Sequence, residues 1–431
     1  MNLVVLNLLA AVEEGDIINL RSVSFESKRT NGEEGGGQAV DTDDHVLPEW
    51  GFRAGPRKHI WFNPEAVSAA VVTTGGVCPG INVVVHNIVK MLHTYGVPED
   101  QVLGIQYGFK GLLDRSLSPV LLTSDFIQGI QNEGGSILGT SRQSGNVEAI
   151  VKRLKLWELD MLFVVGGRDG NKMVAEIERE CKQQGLDCAV VGVPKSMDNS
   201  ILIVDRSFGF DSAVSEAQQA LATAKVEATS ARNGIGLVKL MGMQSGFVAM
   251  AASMASGVVD VCLIPEVPFA MENVCRHVEK LLEEKQHCVI CLADGAVDSA
   301  LDAEMVDSDE DDIGLFIKRY LHNYFEGDVD IKYIDPTYMI RAGPVTNIDK
   351  VYCKVLGQAA VDTAFSGITG VTVGMVNNDY VLLPASEVSR DVRKVNPDGR
   401  RWNRVKLALR QPDFIDDVEF SCEEDSCDIA D

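Results

Sequence analysis

The 431-residue chain is short of positive charge: 39 lysines and arginines stand against 63 aspartates and glutamates, a formal net charge of -24. No sizeable basic cluster interrupts the acidic surface, which excludes nucleic acid and anionic membrane as default partners. An anionic substrate would need a focused cationic pocket on an acidic body, and the charge also serves plain solubility. The 7 histidines show no ligand spacing and read as structural. One C-x-x-C spacing, Cys288 and Cys291, lies in the apolar run HCVICLA. That run reads as a strand, where side chains three apart point to opposite faces. No second pair joins it, so the 10 cysteines read as reduced and buried in an intracellular protein rather than as a zinc ribbon or disulfide framework. The opening MNLVVLNLLAAV lacks a basic leader, meets Glu13 and Glu14, and is too short to span a bilayer. A cytoplasmic location is the expectation. The nicotinamide fingerprint G-x-G-x-x-G and the Walker loop are both missing, and no internal repeat is visible.

What is present is an ordinary globular balance, 45% hydrophobic and 24% charged, at a length that implies two domains. Residues 30–45 are glycine-rich and acidic and read as a linker. From about residue 66 the chain alternates between apolar runs and amphipathic stretches. AAVVTT near 69, VLGIQY near 102, MLFVVGG near 161, CAVVGVP near 188, IGLVKLM near 235, VCLIPE near 261 and HCVICLAD near 287 read as strands. They are continuous rather than alternating, as in strands covered on both faces. NKMVAEIERECKQQ and DSAVSEAQQALATAKVEAT read as helices. The repetition predicts an α/β fold with two doubly wound, Rossmann-like parallel sheets. DSDEDD at 307–312 reads as a solvated loop or helix start, and the residues after about 412 as an acidic tail.

The chemistry concentrates at strand ends. In VVGVPKSMDNSI, residues 190–201, an apolar strand stops at Pro194 and delivers Lys195, Ser196 and Asp198. A carboxylate beside a cation and a hydroxyl suits proton abstraction from a sugar hydroxyl. The first strand runs into TTGGVCPGIN, where Gly75, Gly76 and Gly80 allow close backbone approach and Asn82 opens a helix. A tight βα turn needs the same glycines. After LFVV come Gly166, Gly167, Arg168, Asp169, Gly170 and Asn171. Asp169 either holds Mg²⁺ between phosphates or caps the next helix. Arg142, in GTSR, either bridges a transferring phosphoryl group or is a surface turn residue. Arg341, in DPTYMIR, is a sugar-phosphate fork or an ordinary ion-pair residue. Together these anion-friendly strand ends favour phosphoryl transfer.

The words RAGPR at 53, GGVCPGIN at 75, GTSR at 139, VPKSMDN at 193, SFGFDSAV at 207, GIGLVKLMG at 234, QSGF at 244, LIPEVPF at 263 and YIDPTYMIR at 333 make the chain resemble the phosphofructokinases, in the ATP-dependent branch of plants and trypanosomes. The similarity covers roughly residues 53 to 410. It implies that the active site lies in the cleft between the two domains. It also implies that Asp198 is the base for the 1-hydroxyl of fructose 6-phosphate, with Ser196, Lys195 and Arg142 at the transferred phosphoryl. Gly75, Gly76, Tyr107, Gly166, Gly167, Gly170 and Asn171 fall in nucleotide words; Met241, Gly242, Asp294, Tyr338 and Arg341 fall in sugar-phosphate words. ATP and Mg²⁺ are the implied donor and ion, with Asp169 as metal ligand, in a homo-oligomer (dimer or tetramer) serving glycolysis. The implied domains are residues 66–210 with about 343–385 for the donor, and 211–342 with about 386–410 for the sugar phosphate. Residues 1–65 form an extension and 411–431 the tail.

Four positions depart from the family pattern. Arg168 stands where Gly-Gly-Asp-Gly places its aspartate, and Asp169 falls in the next column. Either the loop shifts by one residue or the metal ligand is lost. An aspartate in that column accompanies pyrophosphate use, and two like charges about 4 Å apart cost roughly 4 kcal/mol at an effective dielectric near 20. Ser200 replaces a second aspartate, Met243 an arginine, and Asp294 a glutamate. A pyrophosphate-dependent enzyme and a catalytically weakened, sugar-phosphate-binding regulatory subunit are therefore the alternatives to an ATP-dependent one.

Overall fold

The computed structural model describes residues 12, 16–19, 50–300 and 312–415. The acidic glycine-rich segment at 30–45, residues 307–311 and the tail from 416 lie outside them. The chain forms two compact units: one holds the described residues up to Glu216 with Tyr338–Arg393, the other Ala217–Thr337 with the described residues from Lys394.

The first unit begins with β1 (Ile17–Asn19), β2 (Trp50–Arg53), β3 (Ala69–Thr73), α1 (Ile81–Tyr95), β4 (Val102–Ile105), α2 (Lys110–Leu113) and β5 (Val120–Leu121). It continues with α3 (Val147–Leu156), β6 (Met161–Gly166), α4 (Arg168–Gln183) and β7 (Ala189–Pro194). The chain passes to the second unit within α5 (Phe210–Thr229). There follow β8 (Gly234–Leu240), α6 (Phe247–Ser256), β9 (Val261–Leu263), α7 (Met271–Lys285), β10 (His287–Ala293), α8 (Ile313–Tyr324) and β11 (Asp330–Ile334). The chain then adds α9 (Thr337–Ala342), α10 (Asn347–Phe365), β12 (Val371–Val376), β13 (Asp379–Pro384) and α11 (Ala385–Ser389) to the first unit, and α12 (Arg400–Leu409) to the second.

The first sheet has the order β1-β2-β13-β12-β7-β6-β3-β4-β5. Its centre, β12-β7-β6-β3-β4, is parallel, and antiparallel strands flank it on both sides. The continuous apolar runs are explained by burial on two faces. Ala69 and Val71 of β3 pack with α1 and α10, while Ala70 and Val72 pack with α3 and α4. From β3 the chain goes to β4 on one side and returns to β6 on the other. That reversal creates a crevice at the carboxyl ends of β3 and β6, where ligands bind in open α/β sheets. The second sheet, β11-β8-β10-β9, is wholly parallel. Gly236 gives α5 room, since a Cβ there would lie 2.7 Å from the Ala224 carbonyl oxygen.

The unit boundaries differ from the sequence reading: β1 and β2, in the expected extension, join the first sheet, residues 211–216 stay with the first unit, and two further segments move to it. Tyr338–Ala342 belong to the first unit, where the carbonyl of Ala342 sits 2.8 Å from the Cβ position of Gly134. Residues 386–393 also stay with the first unit, because Arg393 donates to the Val204 and Asp205 carbonyls at 2.9 and 2.8 Å. Neither contact leaves a trace in local sequence pattern.

Candidate active site

The turn after β3 is stitched to the GTSR segment along its length. Thr74 Oγ1 donates to the Ser141 carbonyl at 3.0 Å, the Gly75 amide donates to the same carbonyl at 2.9 Å, and Thr140 Oγ1 donates to the Gly75 carbonyl. Arg142 is thereby carried to this turn: its Nη2 lies 4.0 Å from the Cβ position of Gly76. Gly75 has φ +88°, a conformation that favours glycine, and a Cβ there would sit 3.1 Å from Lys195 Nζ and press on the lysine head. Tyr107 takes a left-handed φ of 55° and lays its ring over Gly139, whose Cβ position is 2.6 Å from Cδ1. Asn82 is turned inward, donating to the Glu133 carbonyl at 3.0 Å and accepting from the Ile137 amide at 2.9 Å.

The second glycine turn closes against the first. The Cβ position of Gly166 is 2.9 Å from Gly170 Cα, and that of Gly170 is 2.9 Å from Thr74 Cγ2. Asn171 is buried; its Nδ2 donates to the Gly167 carbonyl at 2.9 Å and the Gly166 carbonyl at 3.3 Å, and its Oδ1 accepts from Thr372 Oγ1. Gly170 and Asn171 therefore shape the turn from within. Arg168 and Asp169 open α4 instead, with Nε 3.8 Å from Oδ1 and side chains 43% and 83% exposed.

The PKSMDN segment lies across both turns. The Lys195 amide donates to the Gly166 carbonyl at 2.9 Å, and its ammonium to the Gly76 carbonyl at 2.7 Å. The residue is only 7% exposed. Burial lowers its pKa; Cys78 and Asp198 favour the charged form, and Arg341 and Arg142 oppose it. Lys195, Asp198, Arg142 and Arg341 thus share one electrostatic neighbourhood. Cys78 is no nucleophile here, since burial pushes its thiol up to about 12. Ser196 and Ser200 share a hydroxyl–hydroxyl bond of 3.0 Å. The loop is pinned by Ser207, which donates from Oγ to the Ser196 carbonyl at 2.6 Å and from its amide to Asn199 Oδ1 at 3.0 Å. Among the described residues Arg341 Nε is buried without a hydrogen-bond partner, and the guanidinium lies 5.8 Å from the ring centroid of Tyr338, which is 81% exposed.

Met241, Gly242 and Asp294 belong to the second unit. Gly242 has φ +146°, and its Cβ position is 3.3 Å from Ala293 Cβ, which fixes the MGM turn beside the end of β10. Asp294 lies 3.9 Å from Lys239 Nζ, which also binds Asp312 at 3.0 Å and Asp335 at 3.1 Å. Burial pulls Lys239 down, but the hydrogen bonds to Asp312 and Asp335 outweigh it and the net shift is upward. Met243 is 57% exposed, with no cation at that position.

Three supporting residues escape the sequence reading. Asp349, buried in α10, accepts from the Gly209 amide at 3.2 Å and from the Ser212 amide and hydroxyl at 2.7 and 2.6 Å, holding the start of α5. Lys239 ties three aspartates together in the second unit. Glu266 accepts from the Gly246 amide at 3.0 Å and the Val395 amide at 2.8 Å, which secures the QSGF word. Lys239 and Glu266 sit in quoted motifs and Asp349 does not; the partners of all three are distant in sequence.

Glycine turns, a buried lysine, two arginines and an aspartate, gathered in a doubly wound unit whose chain reverses direction beside β3, define a class: α/β proteins built to receive a phosphate-bearing ligand. The chain belongs to the phosphofructokinase family, whose sequence pattern matches residues 68–364. It is 43% identical over 415 residues to ATP-dependent 6-phosphofructokinase 5, chloroplastic, of Arabidopsis thaliana, covering 94% of this chain and 76% of that protein. It is 40% identical over 392 residues to the ATP-dependent 6-phosphofructokinase of Borreliella burgdorferi, covering 86% and 87% respectively. The solved phosphofructokinase of Saccharomyces cerevisiae superposes with a TM-score of 0.69 at 19% identity, over 81% of this chain and 49% of that one, a likeness of fold.

Proposed function

We propose that this chain is an ATP-dependent 6-phosphofructokinase, moving the γ-phosphoryl of ATP to the 1-hydroxyl of fructose 6-phosphate. The observation that carries the reading is Lys195, buried against the Gly76 carbonyl with Arg142, Arg341 and Asp198 acting on it. Asp198 takes the proton of the 1-hydroxyl as that oxygen bonds to the γ-phosphorus. The bond from the γ-phosphorus to the bridging oxygen breaks, and ADP leaves with the electron pair. Lys195 and Arg142 offset the charge on the transferring group, and Ser196 orients it. Catalysis is then mainly positioning and electrostatics. Tyr338 and Arg341 serve sugar-phosphate recognition, the role that the resemblance also implies for Met241, Gly242 and Asp294.

Mg²⁺ belongs to the same reading. An ion held chiefly by phosphate oxygens and water asks for one or two protein carboxylates. Asp169, 83% exposed at the start of α4, fits that need, and among the described residues no three or more His, Cys, Asp or Glu side chains form an all-protein cage. When bound, the ion neutralises phosphate charge. Asp169 also motivates the second reading, pyrophosphate as donor. Assays with each donor at equal fructose 6-phosphate decide between them: turnover with ATP and none with pyrophosphate supports the proposal, and the reverse overturns it.

A homo-oligomer and a cytoplasmic location complete the proposal. The exposed apolar side chains Ile348 and Val351 on α10 support the first, and the eight free, buried cysteines among the described residues support the second. Sedimentation and cell fractionation test them.

A further inference from the structure

α12 departs from the sequence reading of an acidic surface without a basic cluster. Residues 400–410 carry five cations and no acid. The helix turns Trp402 and Val405 inward, each 1% exposed, and Arg400, Arg401 and Arg404 stand exposed on its outer side. Among the described residues none of these three arginines forms an ion pair. Leu407 is 79% exposed and shares a groove of about 490 Å³ with Asn403, Lys406 and Arg410. A basic face around an apolar side chain suits an acidic segment that carries apolar residues of its own. The chain supplies one. Residues 416–431 hold eight acids, no lysine, arginine or histidine, and the apolar Val418, Phe420 and Ile429. They leave beside this groove: Asp413, which lines it, accepts from Lys406 Nζ at 2.8 and 3.1 Å. Phe414, 4% exposed, anchors the exit, its carbonyl accepting from the Ala270 amide at 2.9 Å. The segment reaches up to about 50 Å when extended, against about 15 Å for α12. One exposed ion pair contributes little. Here several cations face many anions, tethered at an effective concentration on the order of millimolar.

We propose that residues 416–431 dock in cis on the groove and arginine face of α12, covering Leu407 and neutralising cations that would otherwise draw other anions. The inference does not depend on the phosphoryl donor or on the active site. The test uses the full chain and a Glu-specific protease, which cuts after Glu419, Glu423 and Glu424. Release of the tail fragments, read by mass spectrometry, follows the undocked fraction when docking is fast relative to cleavage. At about 10 mM salt the wild type is cut about tenfold more slowly than a variant combining Arg400→Gln, Arg401→Gln and Arg404→Gln, and at about 1 M salt the two rates converge. A free peptide of residues 416–431 corrects for the effect of salt on the protease. An unchanged Tm shows that the variant is folded, and the salt dependence of the wild type tests docking without any substitution. Equal low-salt rates in wild type and variant overturn the inference and leave the α12 face to an external polyanion. Protection that fades as the protein is diluted also overturns it, since the tail then docks on a second copy.

Discussion

The Lys195 ammonium donates to the Gly76 carbonyl at 2.7 Å, tying the end of β7 to the turn after β3. One bond thus fixes a cation where two strand ends meet, and it does so in a residue 7% exposed.

Lys195→Met removes the charge and keeps the stem. We expect kcat to fall by about 10² to 10³, the usual effect of losing a preorganised electrostatic stabiliser. Stability moves the other way. Burial holds the folded pKa below the ordinary lysine value, so the unfolded chain binds this proton more tightly and stability rises with pH toward that value. The variant therefore matches or exceeds the wild-type Tm at neutral pH, and its advantage fades as the solution becomes alkaline. A Tm lower by several degrees would contradict the account.

Gly209→Ala tests the packing beneath the site. Gly209 has φ +89°, and a Cβ there meets Cys78 Sγ and, at 3.0 Å, the Pro79 carbonyl oxygen. Strain and overpacking together cost about 2 to 5 kcal/mol. Gly185→Ala is the control: its φ is +62° but nothing lies within 4 Å of the new Cβ, so only about 1 to 2 kcal/mol is lost. Urea unfolding of both variants reads the difference.

Asp362 accepts from Tyr95 Oη at 2.7 Å, and burial raises its pKa to about 6. The folded state binds this proton more tightly than the unfolded chain. The resulting stability is full below the ordinary carboxyl value of 3.8 and is lost as pH rises through about 6. Asp362→Asn keeps the acceptor and removes the titration. At pH 8 the variant should be more stable by up to about 3 kcal/mol, with the gain vanishing near pH 4. Equal stability at both pH values would refute the assignment.

The strands that carry chemistry are legible in the sequence because burial on two faces makes them continuous apolar runs. AAVVTT, MLFVVGG and CAVVGVP appear as β3, β6 and β7, and each ends at the turn or polar word that follows it. The hairpin β12–β13 is absent from the sequence reading although a signal exists. Asn377 and Asn378 both take positive φ between the two strands, the turn that Asn favours in tight hairpins. The structural part that Gly170 and Asn171 play in closing the turn is not legible, because glycine turns look alike in sequence. The roles of Asp349 and Lys239 leave no local signal, because their partners come from distant elements, although Lys239 itself lies in the quoted word GIGLVKLMG. Of DSDEDD only Asp312 is described, and it caps α8 by accepting from the Gly314 amide at 2.8 Å, in line with a helix start.

The central claim is that Asp198 deprotonates the sugar hydroxyl, and Asp198→Asn tests it most directly. With ATP, Mg²⁺ and fructose 6-phosphate, kcat should fall by about 10² to 10⁴ while ADP binding and Tm stay close to wild type. Turnover within about threefold of wild type, from a folded and nucleotide-binding variant, would contradict it.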